Sequence, residues 1–124
     1  MQNTDLNACA VDLFSAEKDG VEYIIFSDDF SPELCDYMNK IQLAMTRSAD
    51  RIRTYIESDS NYIGAFGKLD GEQKDKLFLH PQVYIFADGG VVTWLGDKRE
   101  TDKMLSVSFT GVLDKLGDVE ILCT

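Results

Sequence analysis

Histidine occurs once in this chain, as His80, and a single imidazole excludes every metal centre built from several histidines. Cysteine is almost as scarce. Cys9, Cys35 and Cys123 are an odd number at wide spacing with no Cys-x-x-Cys, which argues against a disulfide framework and a structural zinc site. No apolar run approaches the ~20 residues needed to span a bilayer as a helix. The first residues, Met1-Gln2-Asn3-Thr4-Asp5, lack the basic start and apolar run of a signal peptide, so the expected location is cytoplasmic. Neither Gly-x-Gly-x-x-Gly nor a Walker-type run is present, and Gly64-x-x-Gly67 lacks the pattern of a phosphate-cradling loop. Asp59, Asn61 and Gly64 fail as a calcium loop, because Ile63 stands where an oxygen ligand is needed and no glutamate closes the loop. No cofactor is expected.

Basic residues are also nearly missing from one region. Residues 1–36 hold nine acids against Lys18 alone, a balance of −8 in a chain whose net charge is −10. Such an imbalance disfavours direct binding to nucleic acid or an anionic membrane. Solubility alone can account for it, since net charge governs solubility and association rather than fold. The sharper expectation is an acidic face for a basic protein partner, formed by Asp12, Glu17, Asp19, Glu22, Asp28 and Asp29.

The clearest element present is a helix over residues 31–57. Ser31 can cap it and Pro32 suits its first position, where no N–H is needed. Leu34, Met38, Ile41, Met45, Ala49, Ile52 and Ile56 recur at steps of three and four, which puts them on one apolar stripe. Lys40, Arg47 and Arg51 form a second, basic stripe, and Leu43 points away from the apolar seam. Around the helix the pattern is of strands. Residues 9–14 and 21–26 are expected to pair across the Asp19-Gly20 turn, and 62–67 reads as a strand. Asp70-Gly71 reads as a further turn and 72–76 as a solvated stretch, followed by an apolar strand at 77–80 ending before Pro81. Residues 83–86 and 91–95 make the clearest hairpin, around Asp88-Gly89-Gly90, and its Trp94, Tyr84 and Phe86 read as core. Leu105, Val107 and Phe109 alternate as in a half-buried strand, 112–116 reads as a turn or short helical piece, and 119–123 as the last strand. With 124 residues and no repeat or linker, the expected fold is a single α+β domain. One long helix should pack on a mainly antiparallel sheet of six to eight strands.

Catalytic groups are few. His80 at a strand end reads as structural. Cys35, beside Leu34 in the first turn of the helix, reads as a small buried hydrophobe rather than an activated thiolate. The chain is therefore expected not to be an enzyme. In size, charge and element order it resembles bacterial immunity proteins, which block a toxin domain, and acidic secretion chaperones. The first resemblance implies an inhibitor whose acids meet the lysines and arginines of a nuclease toxin domain. The second implies a dimeric module holding an extended peptide. A third expectation, from the residues alone, is a small-molecule-binding or enzymatic domain using His80.

Overall fold

A computed structural model describes residues 7–10, 13–26, 31–94 and 103–123. Helix α1 (Pro32–Glu57) starts where Ser31 caps it, its Oγ accepting from the Leu34 N–H at 3.1 Å, with Pro32 in the first turn. Leu34, Met38, Ile41, Met45, Ile52 and Ile56 are buried as the stripe requires, joined by Cys35 and Ala44. Ala49 is the exception: it lies on the stripe and is exposed. No base stands in the last turn of α1, so only its N-terminal end, with Glu33, complements the helix dipole by charge.

Among the described residues seven strands form one sheet in chain order: β1 (Asn7–Ala10), β2 (Leu13–Lys18), β3 (Val21–Phe26), β4 (Gln82–Phe86), β5 (Gly89–Trp94), β6 (Lys103–Thr110) and β7 (Lys115–Cys123). Every neighbouring pair is antiparallel except β3 with β4. A parallel neighbour needs a long crossover, and α1, α2 (Ser60–Phe66) and α3 (Gly71–Leu77) supply it. The helices cover one face of the sheet. Val21, Tyr23 and Ile25 of β3, Val83 and Ile85 of β4, Val92 and Trp94 of β5, and Leu105, Val107 and Phe109 of β6 meet them in a continuous core.

Several expected elements differ. The partner of β3 is not 9–14 but 13–18, with the chain turning back into β1 before it. Asp19 (φ 54°) and Gly20 (φ 82°) are both left-handed, the geometry of a two-residue hairpin turn, so the partner must run straight into the turn, pairing Lys18 with Val21. Residues 62–67 belong to a helix rather than a strand. Asp59 caps it, and Tyr62 and Phe66 bury side chains four apart, a helical and not a strand spacing. Asp70-Gly71 opens α3 through a reciprocal capping box with Gln73, so 72–76 is helical too. Residues 77–80 form no strand: Leu77 ends α3, and His80 is exposed with φ 54°. The β4–β5 hairpin turns at Ala87-Asp88, one residue earlier than expected. Gly90 lies inside β5, where a Cβ would run into the Tyr84 carbonyl and the Phe109 ring. Residues 111–114 form the expected turn, but β7 starts at Lys115, four residues before the expected strand.

That last hairpin is tied to the helices by side chains donating to its carbonyls. Tyr37 Oη reaches Gly111 and Arg51 Nη2 reaches Leu113. Tyr55 Oη reaches Gly117 at 2.6 Å and Asn61 Nδ2 reaches Val119 at 2.9 Å. Arg51 is therefore not part of a free basic stripe, whereas Lys40, Arg47 and Leu43 are exposed. Among the described residues no helix is long and apolar enough to cross a membrane.

Candidate functional site

The six acids expected to form a partner surface divide into two sets. Asp12, Asp28 and Asp29 lie outside the described residues. Glu17, Asp19 and Glu22 belong to the β2–β3 hairpin, and the pairing register decides where each one faces. Glu17 and Glu22 are direct cross-strand partners on the face of the sheet away from the helices. Asp19 occupies the tip.

Two carboxylates directly opposite each other repel and destabilise the hairpin that carries them. Glu22 is half-buried and accepts from Gln82 Nε2 at 2.8 Å, its neighbour on β4, while Glu17 is exposed. Among the described residues the two ion pairs join Arg53 to Glu57 and to Asp75, so neither hairpin glutamate has a cation beside it. Along the same face the alternation continues through Ile24 and Phe26 on β3 and Tyr84 and Phe86 on β4. The Phe26 ring stacks 6.0 Å from Tyr84 and 6.2 Å from Phe86. Phe86 is 38% exposed, so of the three hairpin aromatics expected in the core only Trp94 is there. An acidic pair thus adjoins a patch of stacked aromatic surface.

The opposite side of the hairpin borders a cleft of about 430 Å³ between β2–β3 and α1. Tyr23, Phe78 and Trp94 line it with aromatic surface, and Met45 and Ile52 add aliphatic surface from the helix. Ala49 is exposed and fronts this cleft, which no strand or helix among the described residues fills. Phe78 meets Trp94 edge-on at 5.4 Å, and the Arg53 guanidinium sits 4.7 Å over the Phe78 ring. Arg53 also bonds Asp75 at 2.7 Å and lies 3.5 Å from Glu57. Partial burial works against its charge, yet those carboxylates prevail and raise its pKa. Tyr23 is 2% exposed; burial, aided by the negative charge of Asp19, pushes its phenol up to about 12. It is neutral at physiological pH and can donate a hydrogen bond. Nothing obvious in the linear pattern marks Tyr23 or Phe78. Ala49, the one small residue in a seam of larger ones beyond Met45, was the available signal.

His80 and Cys35 do not line the cleft. His80 is exposed. Cys35 is buried, and burial together with Asp36 raises its thiol pKa, the opposite of a stabilised thiolate. The side chains of Cys9 and Cys123 lie outside the described residues. Among the described residues no three His, Cys, Asp or Glu side chains gather as a metal site would require. Compared with protein families, curated proteins and solved structures, the chain matches none.

Proposed function

We propose that the chain is an acidic binding protein that neutralises a basic protein, in the manner of an immunity protein acting on a nuclease toxin domain. The observation carrying this reading is the Glu17–Glu22 pair, two carboxylates held face to face at a cost to the hairpin, beside the Phe26–Tyr84–Phe86 stack. A basic partner removes that cost on binding, because its lysines or arginines supply the missing countercharge. Complementary charge accelerates encounter, and residence depends on a few desolvated anchors. The aromatic stack provides surface for such anchors next to the acids.

The test is capture from the native host by the tagged wild type and by a variant carrying Glu17→Lys, Asp19→Asn and Glu22→Lys, with identification by mass spectrometry. Asparagine is chosen at 19 because it tolerates the left-handed backbone there. The expected result is a basic protein retained by the wild type and lost with the folded variant. Equal recovery of every partner by both proteins would reject the reading.

A further inference from the structure

We infer that the cleft between α1 and the β2–β3 hairpin binds a small organic cation with an apolar body, of the arylalkylammonium class. The inference does not depend on the inhibitor reading. It rests on the cavity itself, whose volume of about 430 Å³ lies within the range typical of small-ligand sites. Its walls are apolar and aromatic, through Tyr23, Phe78 and Trp94, so they favour an aromatic or aliphatic body.

The charge of the ligand follows from the charged groups that line the cleft among the described residues, Lys18, Asp19, Asp50 and Arg53. Arg53 is committed to Asp75 and Glu57 and stacks on Phe78, so its positive charge is already answered. Lys18 is then outnumbered by Asp19 and Asp50, leaving a negative lining on a chain of net charge −10. That field concentrates cations and repels anions. A polar contact is available inside as well. The Tyr23 side chain is buried and lines the cleft, and its hydroxyl is a hydrogen-bond donor there. Neutral at physiological pH, it can bond a polar atom of the ligand without opposing its charge. An ammonium held by Asp19 and Asp50, with an aromatic ring among Tyr23, Phe78 and Trp94, uses both the acidic and the aromatic parts of the lining. Trp94 also reports on it, since it is the chain's single tryptophan.

Phenethylamine is the probe. Its titration into the full chain, followed by Trp94 fluorescence and by the indole N–H resonance, should give a saturable change. Phenylacetate, with the same ring and the opposite charge, should give none in the same range. The Asp19→Asn/Asp50→Asn double variant changes only exposed side chains and should remain folded while binding phenethylamine about tenfold more weakly, as loss of charge-assisted contacts predicts. The absence of saturation by about 10 mM phenethylamine, where even a millimolar site would be mostly filled, would overturn the inference. So would equal binding of phenylacetate, or unchanged affinity in a folded double variant.

Discussion

Tyr23 and Tyr62 are both buried phenols, and their different surroundings set different expectations. Tyr62 packs between Phe66 and Phe78, and its Oη finds no hydrogen-bond partner among the described residues. An unsatisfied buried hydroxyl costs roughly 1–3 kcal/mol. Tyr62→Phe should therefore leave the protein at least as stable, with a gain of up to about 1 kcal/mol in urea denaturation at unchanged m-value. A clear loss of stability would mean that the hydroxyl has a partner in solution. Tyr23 instead controls behaviour in alkali. Its phenol is raised from 10.0 to about 12, so between those values the folded chain keeps a proton that the unfolded chain has lost. Stability is full below pH 10 and falls as pH rises toward 12, by an amount on the order of 3 kcal/mol from this residue. Tyr37 and Tyr62 shift in the same direction and add to the fall. Urea midpoints at about pH 9 and about pH 11.5 should separate sharply in the wild type and less in Tyr23→Phe. An equal separation in both proteins would remove Tyr23 as the cause.

At the scale of the element, α1 carries faces of very different consequence. Ile41 is fully buried in the middle of the helix, and Ile41→Asp would put an unpaired charge into the core. The expected loss exceeds about 4 kcal/mol, enough to unfold a domain of ordinary stability. Lys40, one residue earlier and exposed, should tolerate alanine within ~0.5 kcal/mol. Thermal melts of the two variants compare the faces directly, and similar midpoints would contradict the packing described above. Met45 is a weaker probe because it borders the cleft. The side of the helix that carries Tyr37, Arg51 and Tyr55 joins the β6–β7 hairpin through hydrogen bonds to carbonyls.

At the scale of the molecule, charge connects folding with association. Glu17→Lys places an opposite charge across from Glu22, which should stabilise the hairpin by about 0.2–1 kcal/mol. The same change raises the net charge from −10 to −8 and removes an acid from the proposed partner surface. The expected combination is a slightly more stable protein that associates more slowly with its basic partner. The difference in rate should shrink between low salt and ~0.15 M, where exposed charges are screened over about 8 Å. Stopped-flow association at two ionic strengths, beside urea denaturation, measures both effects. An unchanged association rate at low salt would leave the acidic hairpin as solvated surface.

The sequence by itself determined the α+β class, the long helix with its cap, the β3 strand, the β4–β5 hairpin and the acidic first third. Each is a local matter of periodicity, turn chemistry or charge count within one stretch of chain. Residues 62–67 read as a strand from sequence because a short aromatic and glycine-containing run suits a strand as well as a helix, and the Asp59 cap acts only in the folded chain. Only the tertiary structure decided which acids act together. One register of β2 against β3 sets Glu17 opposite Glu22, and the parallel placement of β4 brings Tyr84 and Phe86 against Phe26. The cleft was beyond local reading for the same reason. Tyr23, Ala49, Phe78 and Trp94 come from four elements or connections distant in the chain, and no pattern of spacing encodes the gap left where the helix, the hairpin and the link into β4 meet.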